Sequence, residues 1–187
     1  MGKFGVMCLE GEMSDSLTEK QTVLPLLELL EQTSPNFKFI HRKVATIEEF
    51  NFFITKWKLK EYSDYKILYI SSHGYKGNIA ITGDKNVSLE ELSQYVGDKA
   101  GGRFIYLGGC NIMESSEPDL LRFVKKTRAK GLIGYEKEVC SVESAGFEIL
   151  LLEALRWYDG KATGYVKRYI EKNYGTLAKK LGFKFIY

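Results

Sequence analysis

Short apolar runs of strand length alternate along this chain with longer segments of helical period, and that alternation leaves few folds open. A β, α, β, α rhythm arises when crossover helices join parallel strands, so it predicts an α/β chain. The expected architecture is a three-layer α/β/α sandwich around a mostly parallel sheet of about six strands. Phe4 to Leu9, Ile67 to Ser71, Phe104 to Leu107 and Leu132 to Tyr135 are continuously apolar, as strands covered on both faces must be. In Phe37 to Ile40 and Phe183 to Ile186 a lysine interrupts the aromatics, which suits a wetter position at each sheet edge. Helical period predicts helices near Thr18 to Glu31, Thr46 to Leu59, Ser88 to Val96, Pro118 to Lys130, Ser141 to Tyr158 and Thr163 to Tyr174. The fifth is apolar around most of its circumference, with Val142, Phe147 and Trp157 among the residues expected to be buried.

At 187 residues the chain fits one domain, residues 1 to 187, with a single sizeable core. Its net charge of +3 comes from basic and acidic residues mixed along the chain, which gives no footprint for nucleic acid. The run Lys125, Lys126, Arg128 and Lys130 reads as the wet face and favourably charged end of a helix. Three cysteines without CxxC spacing and two histidines support neither a disulfide framework nor a metal site, and no cofactor motif appears. The N-terminal apolar run is too short to span a membrane and soon meets Glu10 and Glu12, so a reducing, cytoplasmic location is expected.

Chemistry concentrates at two strand ends. The apolar run from Ile67 leads into Ser72, His73 and Gly74, and the run from Phe104 leads into Gly108, Gly109, Cys110 and Asn111. In an open parallel sheet the carboxyl ends of strands are where sites form. If these two strands are neighbours, an imidazole and a thiol emerge on one edge, and a histidine beside a cysteine suffices for acyl transfer. The side-chain-free backbone at Gly74 would let a substrate carbonyl approach the N–H groups of Gly74 and Cys110, which are the candidate oxyanion hole. Cys8 and Cys140 read as buried structural thiols, and His41 as a solvated surface histidine. Ser71 and Ser72 lack the GxSxG surroundings of a serine nucleophile.

The passage from Ile67 to Asn111 resembles the caspase-like peptidases, including metacaspases and the bacterial CHAT domains. The match lies in the strand ending at His73-Gly74, the small insert from Gly77 to Asp84, the strand ending at Gly109-Cys110-Asn111, and Lys130 to Tyr135 followed by a buried helix. Gly108-Gly109-Cys110-Asn111 departs from the Gln-Ala-Cys pattern of true caspases, which argues against aspartate specificity. The resemblance implies a cysteine endopeptidase in which Cys110 attacks and His73 protonates the leaving amine, with a protein or peptide as substrate. A catalytically inactive interaction module of the same fold is the alternative. Loops that line the first specificity pocket in such enzymes carry Glu10, Glu12, Glu136, Glu138 and Glu143 here, so cleavage after arginine or lysine is expected. Small caspase-like proteins of bacteria resemble effectors switched on by a partner, which makes a separate activator protein an expectation. The C-terminal strand leaves an edge through which dimerisation is open to the chain.

Overall fold

The computed structural model describes residues 3–12, 21–82 and 85–187. Its main sheet has six strands in the order β2-β1-β3-β7-β8-β9. They are β1 (Phe4–Gly11), β2 (Phe37–Val44), β3 (Tyr65–Ser71), β7 (Phe104–Leu107), β8 (Gly131–Tyr135) and β9 (Phe183–Ile186). All neighbours are parallel except β8 and β9. Between β3 and β7 lies a small antiparallel sheet of β4 (Gly74–Tyr75), β5 (Asn78–Thr82) and β6 (Lys85–Ser88). It occupies the place of the expected insert, whose Gly83 and Asp84 lie outside the described residues.

Period-2 alternation divides the core into two layers. Val6 and Cys8 of β1 and Tyr69 of β3 point to the face covered by α1 (Leu24–Thr33), α5 (Ser141–Trp157) and α6 (Thr163–Lys180). Met7, Leu9 and Leu68 point to the face covered by α2 (Ile47–Trp57), α3 (Leu89–Val96) and α4 (Glu117–Thr127). The result is the expected three-layer sandwich with a mostly parallel six-stranded sheet, and the two aromatic–lysine strands are its edges.

Local chemistry sets the helix ends. Thr46, Ser88 and Ser116 each accept a backbone N–H of the first turn, and Ser88 with Glu91 forms a reciprocal capping box. The fourth helix stops before its expected end because Arg128 turns left-handed at φ 58°. The first begins at Leu24 with Pro25 in its opening turn; Thr18 to Lys20, where a start was expected, lie outside the described residues. The last continues past Tyr174, whose φ of −135° kinks it without ending it. Two residues expected inside the core are instead on the surface, Val142 at 81% exposure and Trp157 at 64%.

Candidate active site

The pairing of β3 with β7 is parallel and in register from Ile67↔Phe104 to Ile70↔Leu107. His73 and Cys110 therefore leave adjacent strands at the same edge of the sheet. Both line one cavity of about 520 Å³, enclosed between the sheet and the N-terminal turns of α1 and α5. Its walls include Val23, Leu26, Val139 and Ala145, and Glu148 of α5 is also among its lining residues. His73 is exposed, Cys110 is half-buried and Glu148 is only 3% exposed, so burial increases from the imidazole through the thiol to the carboxylate.

Main-chain contacts hold the two strand ends together. A Cβ built on Gly74 would lie 2.2 Å from the Cys110 carbonyl oxygen, and one on Gly109 would lie 2.2 Å from the Ser72 carbonyl oxygen and 3.3 Å from the Gly74 nitrogen. Only glycine permits that approach. The Gly108 N–H donates to the Ile70 carbonyl at 2.8 Å, and the Gly77 N–H donates to the Asn111 carbonyl at 3.0 Å. Asn111 adopts φ 56°, a left-handed conformation that asparagine tolerates. On the other flank the Asn111 N–H donates to the Lys137 carbonyl at 3.2 Å, and the Val139 N–H donates to Cys110 Sγ at 3.4 Å. The thiol thus accepts a main-chain N–H from the Val139 side, and on the other flank the Gly74 backbone packs against the Cys110 carbonyl.

Beneath the thiol is a polar cluster that strand and helix patterning did not disclose. Tyr69, Tyr106 and Tyr135, one from each of β3, β7 and β8, are fully buried on one face of the sheet. Tyr69 stacks on Tyr106 at 4.7 Å between centroids, and Tyr106 meets Tyr135 edge-on. The Tyr69 hydroxyl donates to Glu148 Oε2 at 2.6 Å and the Tyr135 hydroxyl to Oε1 at 3.5 Å, while the Tyr106 and Tyr135 hydroxyls are 2.9 Å apart. Burial pushes the Glu148 carboxyl up to about 7, a rise that the tyrosine hydroxyls only partly offset. Burial, and next the charge of Glu148, raise all three phenols well above their ordinary value.

A pH dependence follows with a definite sign. Glu148 titrates near 7 when folded and near 4.5 when its carboxyl is free, so its stabilising protonation is complete below 4.5 and is lost as pH rises through 7. The loss is on the order of 3 kcal/mol. Thermal melts from pH 5 to pH 8 should show the native protein losing stability relative to Glu148→Gln, and parallel curves for the two would refute the assignment.

The five carboxylates expected at the specificity pocket are placed elsewhere. Glu10 is buried at the end of β1, where it contacts His41 and accepts a hydrogen bond from Thr22 at 2.8 Å. Glu12 and Glu138 are exposed. Glu136 pairs with Lys184 at 2.8 Å, and Glu143 pairs with Lys180. Among the described residues none of the five lines the cavity of His73 and Cys110; Thr22, the partner of Glu10, does. The signal that would have found Glu148 is a lone carboxylate on the buried stripe of Ser144, Leu151, Leu152 and Leu155. His41 is also corrected: β2 runs on to Val44, so its ring is half-buried against Glu10. Of the other cysteines, Cys8 is buried as expected, but Cys140, before the first turn of α5, is exposed.

The fold is caspase-like. A solved structure described as pro-sf-caspase-1 superposes with a TM-score of 0.50 at 13% identity, covering 93% of this chain and 83% of that one. At that identity the likeness is one of fold. The chain belongs to a family of unknown function, DUF6642, whose sequence model matches residues 3–187. No curated protein matches the sequence. Among the described residues no helix is long and apolar enough to cross a membrane.

Proposed function

We propose that this protein is a cysteine endopeptidase with a Cys110–His73 dyad. The observation that supports the reading is that both residues line one cavity at the carboxyl ends of adjacent parallel strands. His73 takes the Cys110 thiol proton, Sγ attacks the scissile carbonyl, and the C–N bond breaks as His73 delivers that proton to the departing amine. The Gly74 and Cys110 N–H groups take the developing oxyanion. Water then attacks the thioester, His73 accepts its proton, and the acid product leaves. Cleavage after a basic residue remains the preference this site favours, since its floor carries a carboxylate and no cation is among that carboxylate's hydrogen-bond partners in the described residues.

The test is covalent labelling with a peptidyl chloromethyl ketone bearing a basic residue next to the warhead, located by peptide mapping. Modification should fall on Cys110 and be lost in His73→Ala. The exposed Cys140 is the internal reference for unselective alkylation. Equal modification of Cys110 and Cys140, unaffected by His73→Ala, would mark an interaction module without turnover.

A further inference from the structure

Glu148 is a carboxylate in the lining of the cavity that Cys110 also lines, and it is 3% exposed. We propose that the cavity is a lysine-reading subsite in which Glu148 receives the ammonium group. This rests on the peptidase reading of the same cavity for its biological sense, but not for its chemistry. The walls at Val23, Leu26, Val139 and Ala145 offer apolar surface to a four-carbon stem, and a carboxylate waits at the buried end.

The hydrogen bonds already made at Glu148 select between the two basic side chains. Tyr69 donates to Oε2 and Tyr135 to Oε1, so each oxygen has one acceptor position in use. A guanidinium binds a carboxylate best as a planar fork that needs both oxygens along one edge. An ammonium is a compact point charge with three rotatable donors, and it can use one oxygen of Glu148 together with the lone pair left on the hydroxyl of Tyr69, which also lines the cavity. The occupied carboxylate therefore favours lysine over arginine.

A second buried carboxylate, Glu10, lies outside the cavity lining, with His41 as its ion-pair partner. Glu10 is 1% exposed, its Oε1 is the buried side-chain oxygen without a hydrogen-bond partner among the described residues, and its Oε2 accepts from the cavity residue Thr22. Cys8 lies in the field of both, its thiol raised by burial first and then by Glu10 and Glu148. The titratable groups facing Glu148 are Tyr69 from β3, Tyr106 from β7, Tyr135 from β8 and Cys8 from β1, with Cys110 beyond Tyr135. The three phenols and the Cys8 thiol stay neutral below pH 8, because burial pushes each of them up. An arriving ammonium needs the ionised carboxylate and releases its proton, so binding strengthens from pH 6 to pH 8.

The experiment is calorimetric titration of the Cys110→Ala protein with acetyl-Ala-Ala-Lys amide and with its arginine and norleucine counterparts. The lysine peptide should bind at least about tenfold tighter than the norleucine peptide, the size expected of one charge-assisted hydrogen bond, and tighter than the arginine peptide. Glu148→Gln in that background should erase the difference between lysine and norleucine. Equal binding of lysine and norleucine, a preference that survives Glu148→Gln, or tighter binding of arginine would each overturn the proposal. The comparison among peptides and its pH dependence need no change at Glu148, so the proposal stays testable even if that variant fails to fold. Because no turnover is involved, lysine-selective binding by a protein whose Cys110 fails to label would end the peptidase reading and leave the subsite standing.

Discussion

Cys110→Ala protein is expected to lose hydrolysis of lysyl peptides by a factor of roughly 10⁴ or more in kcat, because the proposed acyl-enzyme forms on the thiol that the substitution removes. His73→Ala should fall by about 10²- to 10⁴-fold, the usual worth of a positioned acid/base. Residual activity is expected to survive there from the oxyanion donors and substrate binding. The double variant should be no worse than Cys110→Ala alone, as befits residues that act as a unit. Stopped-flow measurement of an early burst of released amine, present in the native protein and absent from Cys110→Ala, would tie the loss to acylation. Undiminished turnover in Cys110→Ala would move the chemistry to another group and end the dyad assignment.

The second large effect is expected at positions that carry no functional group. Gly109→Ala places a methyl 2.2 Å from the Ser72 carbonyl oxygen and 2.6 Å from Ile112 Cδ1, and Gly74→Ala places one 2.2 Å from the Cys110 carbonyl oxygen and from Ile112 Cγ1. Backbone cannot yield as a flexible side chain does, so the strand ends must part. Overpacking of this kind costs about 1 to 3 kcal/mol. The displacement it forces should lower kcat/KM by about 10²-fold even where the fold survives, because a shift of roughly 1 Å at reacting groups has that effect. Gly146→Ala is the control: a Cβ there meets nothing within 4 Å inside α5, and the variant should gain roughly 0.5 to 1 kcal/mol. Denaturant melts and kinetics on all three separate the two effects. Activity equal to native in Gly109→Ala would show that the contact does not position Cys110.

The layered architecture was legible in the chain because strand burial and helix period are written in apolar spacing, and Tyr65–Ser71 and Phe104–Leu107 satisfy both faces of a covered sheet. The placement of His73 and Cys110 on one sheet edge was legible because each follows such a strand beside glycine. What sequence did not disclose depends on which faces meet. Tyr69, Tyr106 and Tyr135 look like ordinary apolar strand residues until the register aligns their hydroxyls on Glu148. Glu136 and Glu143 looked like pocket residues, but Lys184 on β9 and Lys180 on α6, both distant in sequence, come back to pair with them. The exposure of Cys140 and Trp157 turns on where α5 enters and leaves the core, which periodicity averaged along a long apolar helix does not show.

The scaffolding of Cys110 and the lining of its cavity are made of different material. Peptide groups of β3, β7 and the segment before α5 fix the sulfur, whereas the walls are side chains contributed by two separate helices and the chain before the first of them. Wall residues such as Thr22, Ala145 and Ser141 can therefore be exchanged without disturbing the atoms that react, so that selectivity and chemistry are free to diverge in evolution and to be redesigned one at a time.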